Sequence, residues 1–168
     1  MRAVRTAALI TLIAFAAACG AAEPSSTPSV PATTSEPPES PTPCPTIAQG
    51  PVQLCGKVQD KGHKDLTAQG QDVKVTINGL PSVAFSPTFL KTVPGAEVTV
   101  TFVNTGTAED FIGAHSFVIE SLDVAVVLKR GQRKSVTFSL PEGEPFVAFK
   151  CTVEFHLAGG MQGAFYFD

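Results

Sequence analysis

The chain has 168 residues, of which 43% are hydrophobic, and its 12 Lys and Arg against 15 Asp and Glu leave a formal net charge of −3. This composition is ordinary for a globular protein with one apolar core. It excludes the usual electrostatic signature of nucleic-acid binding, because no basic stretch is interleaved with aromatic residues.

The N-terminus resembles a secretory signal peptide over residues 1–18. Arg2 and Arg5 precede an apolar stretch over residues 7–18 that ends in small residues, which is the layout of such a peptide. The stretch is too short to span a bilayer, for which about 20 apolar residues are needed. We therefore expect an exported protein, on the periplasmic or extracellular side of the cell membrane.

Cys19 follows the small residues 16–18, an arrangement similar to the lipobox of bacterial lipoproteins, in which the cysteine is lipidated. The lipobox usually carries Leu where this chain has Ala16, and the same residues would suit conventional signal cleavage, so both routes stay open. We expect lipidation, because Cys19 would otherwise be an odd thiol in an oxidising compartment. Residues 19–43 are mainly Pro, Ser, Thr, Ala and Glu, a composition typical of a disordered tether.

The folded domain is predicted over residues 44–168, a size that suits a single domain. Near its start, Cys44 and Cys55 are separated by a short segment that contains Pro and Gly. In an exported protein such a pair predicts a local disulfide bond. The alternative is a pair of additional metal ligands, although the spacing fits no zinc-ribbon pattern.

The rest of the domain is predicted to consist of short β-strands separated by turns. Apolar and polar residues alternate over residues 72–77 and again over residues 97–103, as expected for half-buried strands. Further strands are predicted at residues 115–120, 125–128, 135–140, 146–151 and 164–167. No segment has helical periodicity, so the order predicts an all-β, antiparallel Greek-key β-sandwich of about 7–8 strands. The predicted core residues are Val75, Ile77, Phe85, Leu90, Val98, Val100, Phe102, Phe117, Ile119, Val136, Phe138, Val147, Phe149, Phe165 and Phe167.

Three potential metal ligands lie close together near the C-terminus. Cys151, His156 and Met161 supply a thiolate, an imidazole and a thioether. A second imidazole, that of His115, lies on an upstream predicted strand, and the fold can bring separate strand ends together. Soft sulfur and imidazole suit copper, and two His with one Cys and a weak axial Met form the blue-copper electron-transfer sites. His63 is predicted to be an ordinary surface histidine.

These residues resemble the cupredoxin family, the blue-copper proteins. The resemblance covers residues 85–87, 93–106, 115–119 and 151–163. Within the family, the gaps of four residues between Cys, His and Met are most similar to those of the rusticyanin, sulfocyanin and auracyanin groups. Many relatives have Pro-Gly immediately before the second histidine, where this chain has Glu154 and Phe155.

The resemblance implies a cupredoxin-like sandwich that holds one type 1 copper ion. The implied ligands are His115, Cys151, His156 and Met161. Ser116 is implied to fix the ligand loop through hydrogen bonds near the cysteine sulfur or to Thr152, as outer-shell contacts do in other metal sites. Gly113 is a candidate for placing a backbone carbonyl opposite the methionine, because glycine lets the backbone approach closely.

The predicted function is one-electron transfer between redox partner proteins, by a monomeric, membrane-tethered protein that is not an enzyme. Copper enzymes need additional copper centres and more histidines, which one domain with three His cannot supply. The alternative is a protein that binds or delivers copper without redox turnover. Such proteins tend to have open sites rich in Met and His, whereas this chain has two Met and three His.

Overall fold

The computed structural model describes residues 46–49 and 52–167. The predicted signal peptide, the tether, Cys19 and Cys44 lie outside the described residues. The lipidation and the disulfide between Cys44 and Cys55 therefore stay predictions. Within the described part of the chain, no helix combines the length and the apolar character needed to cross a membrane.

Twelve strands and two short 3₁₀ helices make up the described structure. The strands are β1 (Thr46–Gln49), β2 (Val52–Cys55), β3 (His63–Asp65), β4 (Asp72–Leu80), β5 (Ala84–Ser86), β6 (Phe89–Lys91), β7 (Glu97–Asn104), β8 (Ala114–Ile119), β9 (Val124–Lys129), β10 (Arg133–Ser139), β11 (Phe146–Lys150) and β12 (Gln162–Tyr166). The 3₁₀ helices are Thr67–Gln69 and Glu120–Leu122. A four-stranded sheet has the order β10-β7-β4-β5, a six-stranded sheet has the order β3-β6-β12-β11-β8-β9, and β1 and β2 form a hairpin.

The apolar faces of the two large sheets pack against each other. Phe102 of the four-stranded sheet and Phe117 of the six-stranded sheet have ring centroids 5.8 Å apart. Phe85 contacts both rings, at 6.0 and 6.2 Å, and all three side chains are fully buried. Each buried phenylalanine contributes about 1.5–3 kcal/mol through removal of apolar surface from water. The predicted core is confirmed, except that Val136 is only partly buried and packs against its edge.

The alternation of apolar and polar residues along the strands gives each sheet a buried face and an exposed face. Along β4, alternate residues are buried and the residues between them face outwards, as the period of two requires. On the outer face, threonines of β7 hydrogen-bond across to β10, for example Thr99 to Thr137 at 2.9 Å between Oγ1 atoms. β12 is buried on both faces, because Val52 and Leu54 of the hairpin pack with Phe89 over its outer side.

The prediction of about 7–8 strands in antiparallel sheets is wrong in two respects, although the all-β class is confirmed and the described residues contain no α-helix. Five of the twelve strands have only three or four residues, at or below the shortest length over which alternation indicates a strand. Both large sheets are also mixed, since β4 pairs parallel with β7, and both β3 and β12 pair parallel with β6. Parallel neighbours need a long crossover connection, and the segment between β4 and β7 supplies one that carries β5 and β6.

The strand order also brings separate parts of the sequence together. β11 pairs antiparallel with β8 through Lys150 and Val118. The residue that follows β11, Cys151, therefore lies beside the first half of β8, where His115 is located.

Candidate metal centre

Three of the four predicted ligands meet where β8 begins and β11 ends. His115 lies on β8, Cys151 directly follows β11, and His156 lies in the loop between β11 and β12. The Nδ1 atom of His156 is 3.3 Å from the Cys151 Sγ atom and 3.3 Å from the His115 Nδ1 atom. The side chains of His115 and Cys151 are fully buried, and His156 is 8% exposed. One sulfur and two imidazole nitrogens thus converge on one buried point, with all ligand atoms within 4.8 Å of one another.

Backbone hydrogen bonds close the loop that carries these ligands. The Cys151 N–H donates to the Met161 carbonyl at 3.0 Å, and the Met161 N–H donates to the His156 carbonyl at 2.9 Å. Within the loop, the N–H groups of Gly159 and Gly160 donate to the carbonyls of Phe155 and Leu157, each at 2.9 Å. The loop is therefore a folded unit in which backbone hydrogen bonds hold the three predicted ligand residues Cys151, His156 and Met161.

Met161 is fully buried and belongs to the main core cluster together with Cys151. Its backbone is tied to both Cys151 and His156, as described above. This location is compatible with a thioether ligand. The approach of its sulfur to the other three ligand atoms stays a prediction.

Ser116 is fully buried and lies where the resemblance implies, beside the cysteine sulfur. Its backbone N–H donates to the Cys151 Sγ at 3.3 Å, and its hydroxyl lies 3.6 Å from the same sulfur. The hydroxyl oxygen also accepts the Thr152 N–H at 2.7 Å and lies 3.0 Å from the Thr152 Oγ1. Ser116 therefore joins β8 to the start of the ligand loop and supplies donors to the sulfur.

Gly113 precedes β8 and lies in the segment that leads to His115. Its carbonyl oxygen accepts the backbone N–H of Arg130 at 3.1 Å, which extends the hairpin between β8 and β9. The predicted approach of this carbonyl to a bound ion stays a prediction.

Burial keeps both histidines neutral at neutral pH. Burial and the neighbouring imidazole of His156 lower the pKa of His115 from 6.5 to about 4, against the smaller, opposing effect of the Leu80 backbone. Burial also lowers the pKa of His156. Neutral imidazoles offer a lone pair to a cation, which protonated ones cannot do.

The donor set fits copper better than other common metals. It contains one free, buried cysteine and two neutral imidazoles, and it contains no carboxylate, which Mg²⁺ or Ca²⁺ would require. A structural zinc site usually takes four Cys or His ligands, whereas two His and one Cys with a weak thioether suit type 1 copper. The buried His–Cys–His set therefore supports one type 1 copper ion, as the resemblance to the cupredoxins implied.

Two residues that support His115 were not predicted from the sequence. The bare α-carbon of Gly79, on β4, packs against the imidazole, since a β-carbon built there would lie 3.0 Å from the His115 Cδ2. The buried side chain of Asn104 donates to the carbonyl of Leu128 at 3.1 Å, and Leu128 is the partner of His115 in the sheet. Asn104 could have been found, because it continues the inward positions of β7 and is the first polar residue among them.

Two further residues shape the ligand loop. The Gln59 side-chain amide donates to the carbonyls of Gly159 and Ser82 at 3.0 and 3.1 Å, and its backbone N–H donates to the Gly160 carbonyl at 2.9 Å. No sequence signal indicated this role, because the segment around Gln59 has no periodicity. Phe155 has a φ of 64°, in the left-handed region that favours glycine. Many of the cupredoxins that the ligand loop resembles have glycine at this position.

The other predicted residues lie elsewhere. His63 is on β3 at the surface, where its Nε2 atom lies 3.0 Å from the Asp60 Oδ2, in agreement with an ordinary surface histidine. Cys55 ends β2, whereas Cys44 and Cys19 fall outside the described residues. The structure thus brings together His115, Cys151 and His156, with Ser116 beside them.

No family model and no curated protein matches this chain. Solved structures do match. A dithionite-reduced auracyanin from the photosynthetic bacterium Roseiflexus castenholzii is similar at 22% identity and a TM-score of 0.48, over 59% of this chain and 99% of that chain. The metal-binding domain of the Cu(I)-exporting P-type ATPase CopA from Streptococcus pneumoniae D39, with Cu(I), matches at 12% identity and a TM-score of 0.48, over 66% of this chain and 99% of that chain. A copper nitrite reductase from Nitrosomonas europaea matches at 18% identity and a TM-score of 0.46, over 58% of this chain and 41% of that chain. Because these identities and TM-scores are low, the functional conclusion rests on the site itself.

Proposed function

We propose that this protein is a type 1 copper protein that carries single electrons between redox partners and is not itself an enzyme. The observation that carries the proposal is the convergence of the Cys151 sulfur with the Nδ1 atoms of His115 and His156. When bound, copper supplies a one-electron couple between its two oxidation states. Everything else that electron transfer needs comes from the chain.

The chain holds the ligands in one arrangement and keeps water away from the sulfur. Cys151 and His115 are fully buried, and the ligand loop is closed by its own backbone hydrogen bonds. Ligands that the fold holds in place limit the rearrangement that accompanies a change of oxidation state. The Phe117 and Phe149 rings, with centroids 5.2 Å apart, form part of the core on which these ligands rest.

His156 gives the site its connection to the surface. It is the one of the three ligands with some exposure, at 8%, and its neighbours Phe155 and Leu157 are 79% and 38% exposed. An apolar surface next to a ligand edge suits a transient contact with a redox protein, because little polar surface must be desolvated there.

The location of the protein is part of the same proposal. The composition of residues 1–18 and the lipobox-like position of Cys19 support export and anchoring through a lipid on the extracytoplasmic side of the cell membrane. A Pro-rich segment over residues 19–43 extends by at most about 3.1 Å per residue. Such a tether would let an anchored, monomeric domain reach a membrane-bound or soluble redox partner.

The second candidate is a protein that binds or delivers copper without redox turnover. Delivery needs ligands that a competing chelator or partner can reach. Full burial of His115 and Cys151 favours the electron carrier over this alternative. Rapid release of copper to a chelator at neutral pH, with no reversible reduction, would favour delivery.

The proposal is tested by spectroscopy of the copper-loaded protein. A thiolate bound to Cu(II) gives an intense visible charge-transfer band, and the bleached, reduced protein should regain this band on reoxidation. The Cys151→Ala variant should lose the band, and the matched surface variant His63→Ala should retain it. A wild-type protein that binds copper without colour, or that loses the metal on reduction, would contradict the proposal.

A further inference from the structure

The end of β4 belongs to the four-stranded sheet, yet it contacts a ligand on the six-stranded sheet. A β-carbon placed on Gly79 would lie 3.0 Å from Cδ2, 3.1 Å from Cγ and 3.2 Å from Cβ of His115. These distances are shorter than the ordinary van der Waals range of 3.4–4 Å. The imidazole therefore occupies the space that any side chain at position 79 would need.

The backbone of Gly79 is held firmly and cannot easily move away from the imidazole. Gly79 pairs with Phe85 of β5 on one side and with Asn104 of β7 on the other. Its carbonyl accepts hydrogen bonds from the backbone N–H and the hydroxyl of Thr105, each at 3.0 Å. Gly79 is not among the residues with positive φ, so its backbone conformation is open to alanine. The methyl group of an alanine at position 79 would therefore displace the imidazole ring and leave the β4 backbone in place.

The ring nitrogen bonded to the contacted Cδ2 atom is unsatisfied. The Nε2 atom of His115 is buried and has no hydrogen-bond partner among the described residues. If Nδ1 binds a metal ion, Nε2 must carry the proton, and metal-bound imidazoles usually donate that proton to a carbonyl or carboxylate. Leu80 follows Gly79 on β4, and its backbone acts on the imidazole in the direction expected of such an acceptor, since it raises the pKa of His115. Gly79 and Leu80 are adjacent on β4, and both therefore restrict the orientation of the His115 ring.

We propose that Gly79 is a positioning residue for the metal site: the absence of a side chain at this position sets the orientation of the His115 imidazole. The inference rests on the proposed function, because it concerns a ligand of the same site. Gly79, from the four-stranded sheet, would thus join the residues that determine copper affinity and reduction potential. Leu80 supports this role through its backbone, so substitution of its side chain should matter less.

The first test compares Gly79→Ala with Gly143→Ala. Gly143 is a matched control, because a β-carbon there has nothing within 4 Å and the residue does not have a positive φ. Gly79→Ala should weaken copper binding by about tenfold, the lower end of the range for loss of outer-shell support, because the ring must move by a few tenths of an ångström to clear the methyl group. The visible and paramagnetic-resonance spectra should shift as well. Gly143→Ala should match the wild type. Wild-type affinity and spectra in Gly79→Ala would overturn the proposal.

A double-mutant cycle in the metal-free protein tests the same contact without copper. Gly79→Ala should lower the urea midpoint in the wild-type background, or prevent folding there, and should have little effect when His115→Ala has removed the ring. Equal shifts in both backgrounds would overturn the proposal. The two failures are distinguishable: an uncoloured wild-type copper complex refutes the proposed function, whereas the cycle reports on the contact between positions 79 and 115 in either case.

Discussion

Replacement of Ser116 by alanine should lower the reduction potential of the copper site. The Ser116 hydroxyl lies 3.6 Å from the Cys151 Sγ, and the Ser116 N–H donates to the same sulfur at 3.3 Å. A hydrogen bond to a thiolate withdraws electron density from the sulfur, so the sulfur donates less strongly to the oxidised metal, and hydrogen bonding around this sulfur tunes the potential. The substitution removes the hydroxyl and leaves the backbone donor in place.

The size of this shift follows from the geometry. Hydrogen bonds to charged groups contribute about 1.5–3 kcal/mol, and the long hydroxyl contact argues for the lower end of this range. If that energy favours the reduced site, its loss changes the equilibrium by about tenfold, which corresponds to about 59 mV for one electron. We therefore expect the potential of Ser116→Ala to fall by about 60 mV in protein-film voltammetry.

Thr152→Val is the matched control for this prediction. It removes the Thr152 Oγ1 contact with the Ser116 hydroxyl at 3.0 Å but keeps the hydroxyl next to the sulfur. The control should therefore leave the potential unchanged or raise it slightly. An unchanged or higher potential in Ser116→Ala would refute the reasoning, because the hydroxyl would then have no effect on the sulfur.

Three other predictions concern backbone strain, pH and the ligand loop. The left-handed conformation of Phe155, at φ 64°, costs about 1–2 kcal/mol for a residue with a β-carbon. In urea unfolding, Phe155→Gly should therefore be more stable than Phe155→Ala by about 1 kcal/mol. Equal or lower stability of Phe155→Gly would contradict a strained backbone at this position. Both variants should slow electron exchange with a redox partner if the exposed ring forms part of the contact. The pKa of His115 is lowered from 6.5 to about 4, so between these pH values His115 is protonated in the unfolded chain and neutral in the folded protein. The metal-free protein should therefore lose up to about 3 kcal/mol of stability as the pH falls from about 6.5 to about 4. His115→Ala should flatten that dependence in urea titrations, and an unchanged slope would contradict the assignment. Gln59→Ala removes the donors to the Gly159 and Ser82 carbonyls and should destabilise the protein by about 1–2 kcal/mol. Amide hydrogen exchange should become faster in the ligand loop only. Faster exchange throughout the domain would argue against a local role of Gln59.

The metal site could be predicted because its chemistry is visible in single residue types. Cys151, His156 and Met161 are close in sequence, so they indicate a metal site whatever the order of the strands. His115 could be added because it lies on a predicted strand. The alternation in β4 and β7 predicted the core face in the same way. These features depend on local patterns, which the sequence displays directly.

The supporting contacts could not be predicted, because they depend on pairings between distant segments. The packing of the four-stranded sheet on the six-stranded sheet places Gly79 against His115, and nothing in the local sequence around Gly79 indicates that neighbour. Gln59 reaches the ligand loop across about 100 positions of the chain, from a segment without periodicity. The positive φ of Phe155 also depends on the folded loop, and phenylalanine is not a residue type that indicates a left-handed conformation.

X-ray absorption at the copper edge of the loaded wild-type protein tests the central claim most directly. The account predicts one short copper–sulfur distance and two imidazole nitrogens around the metal, with the sulfur contribution absent in Cys151→Ala. A shell that contains only nitrogen and oxygen, or one that is the same in both proteins, would contradict the convergence of His115, Cys151 and His156 on one ion.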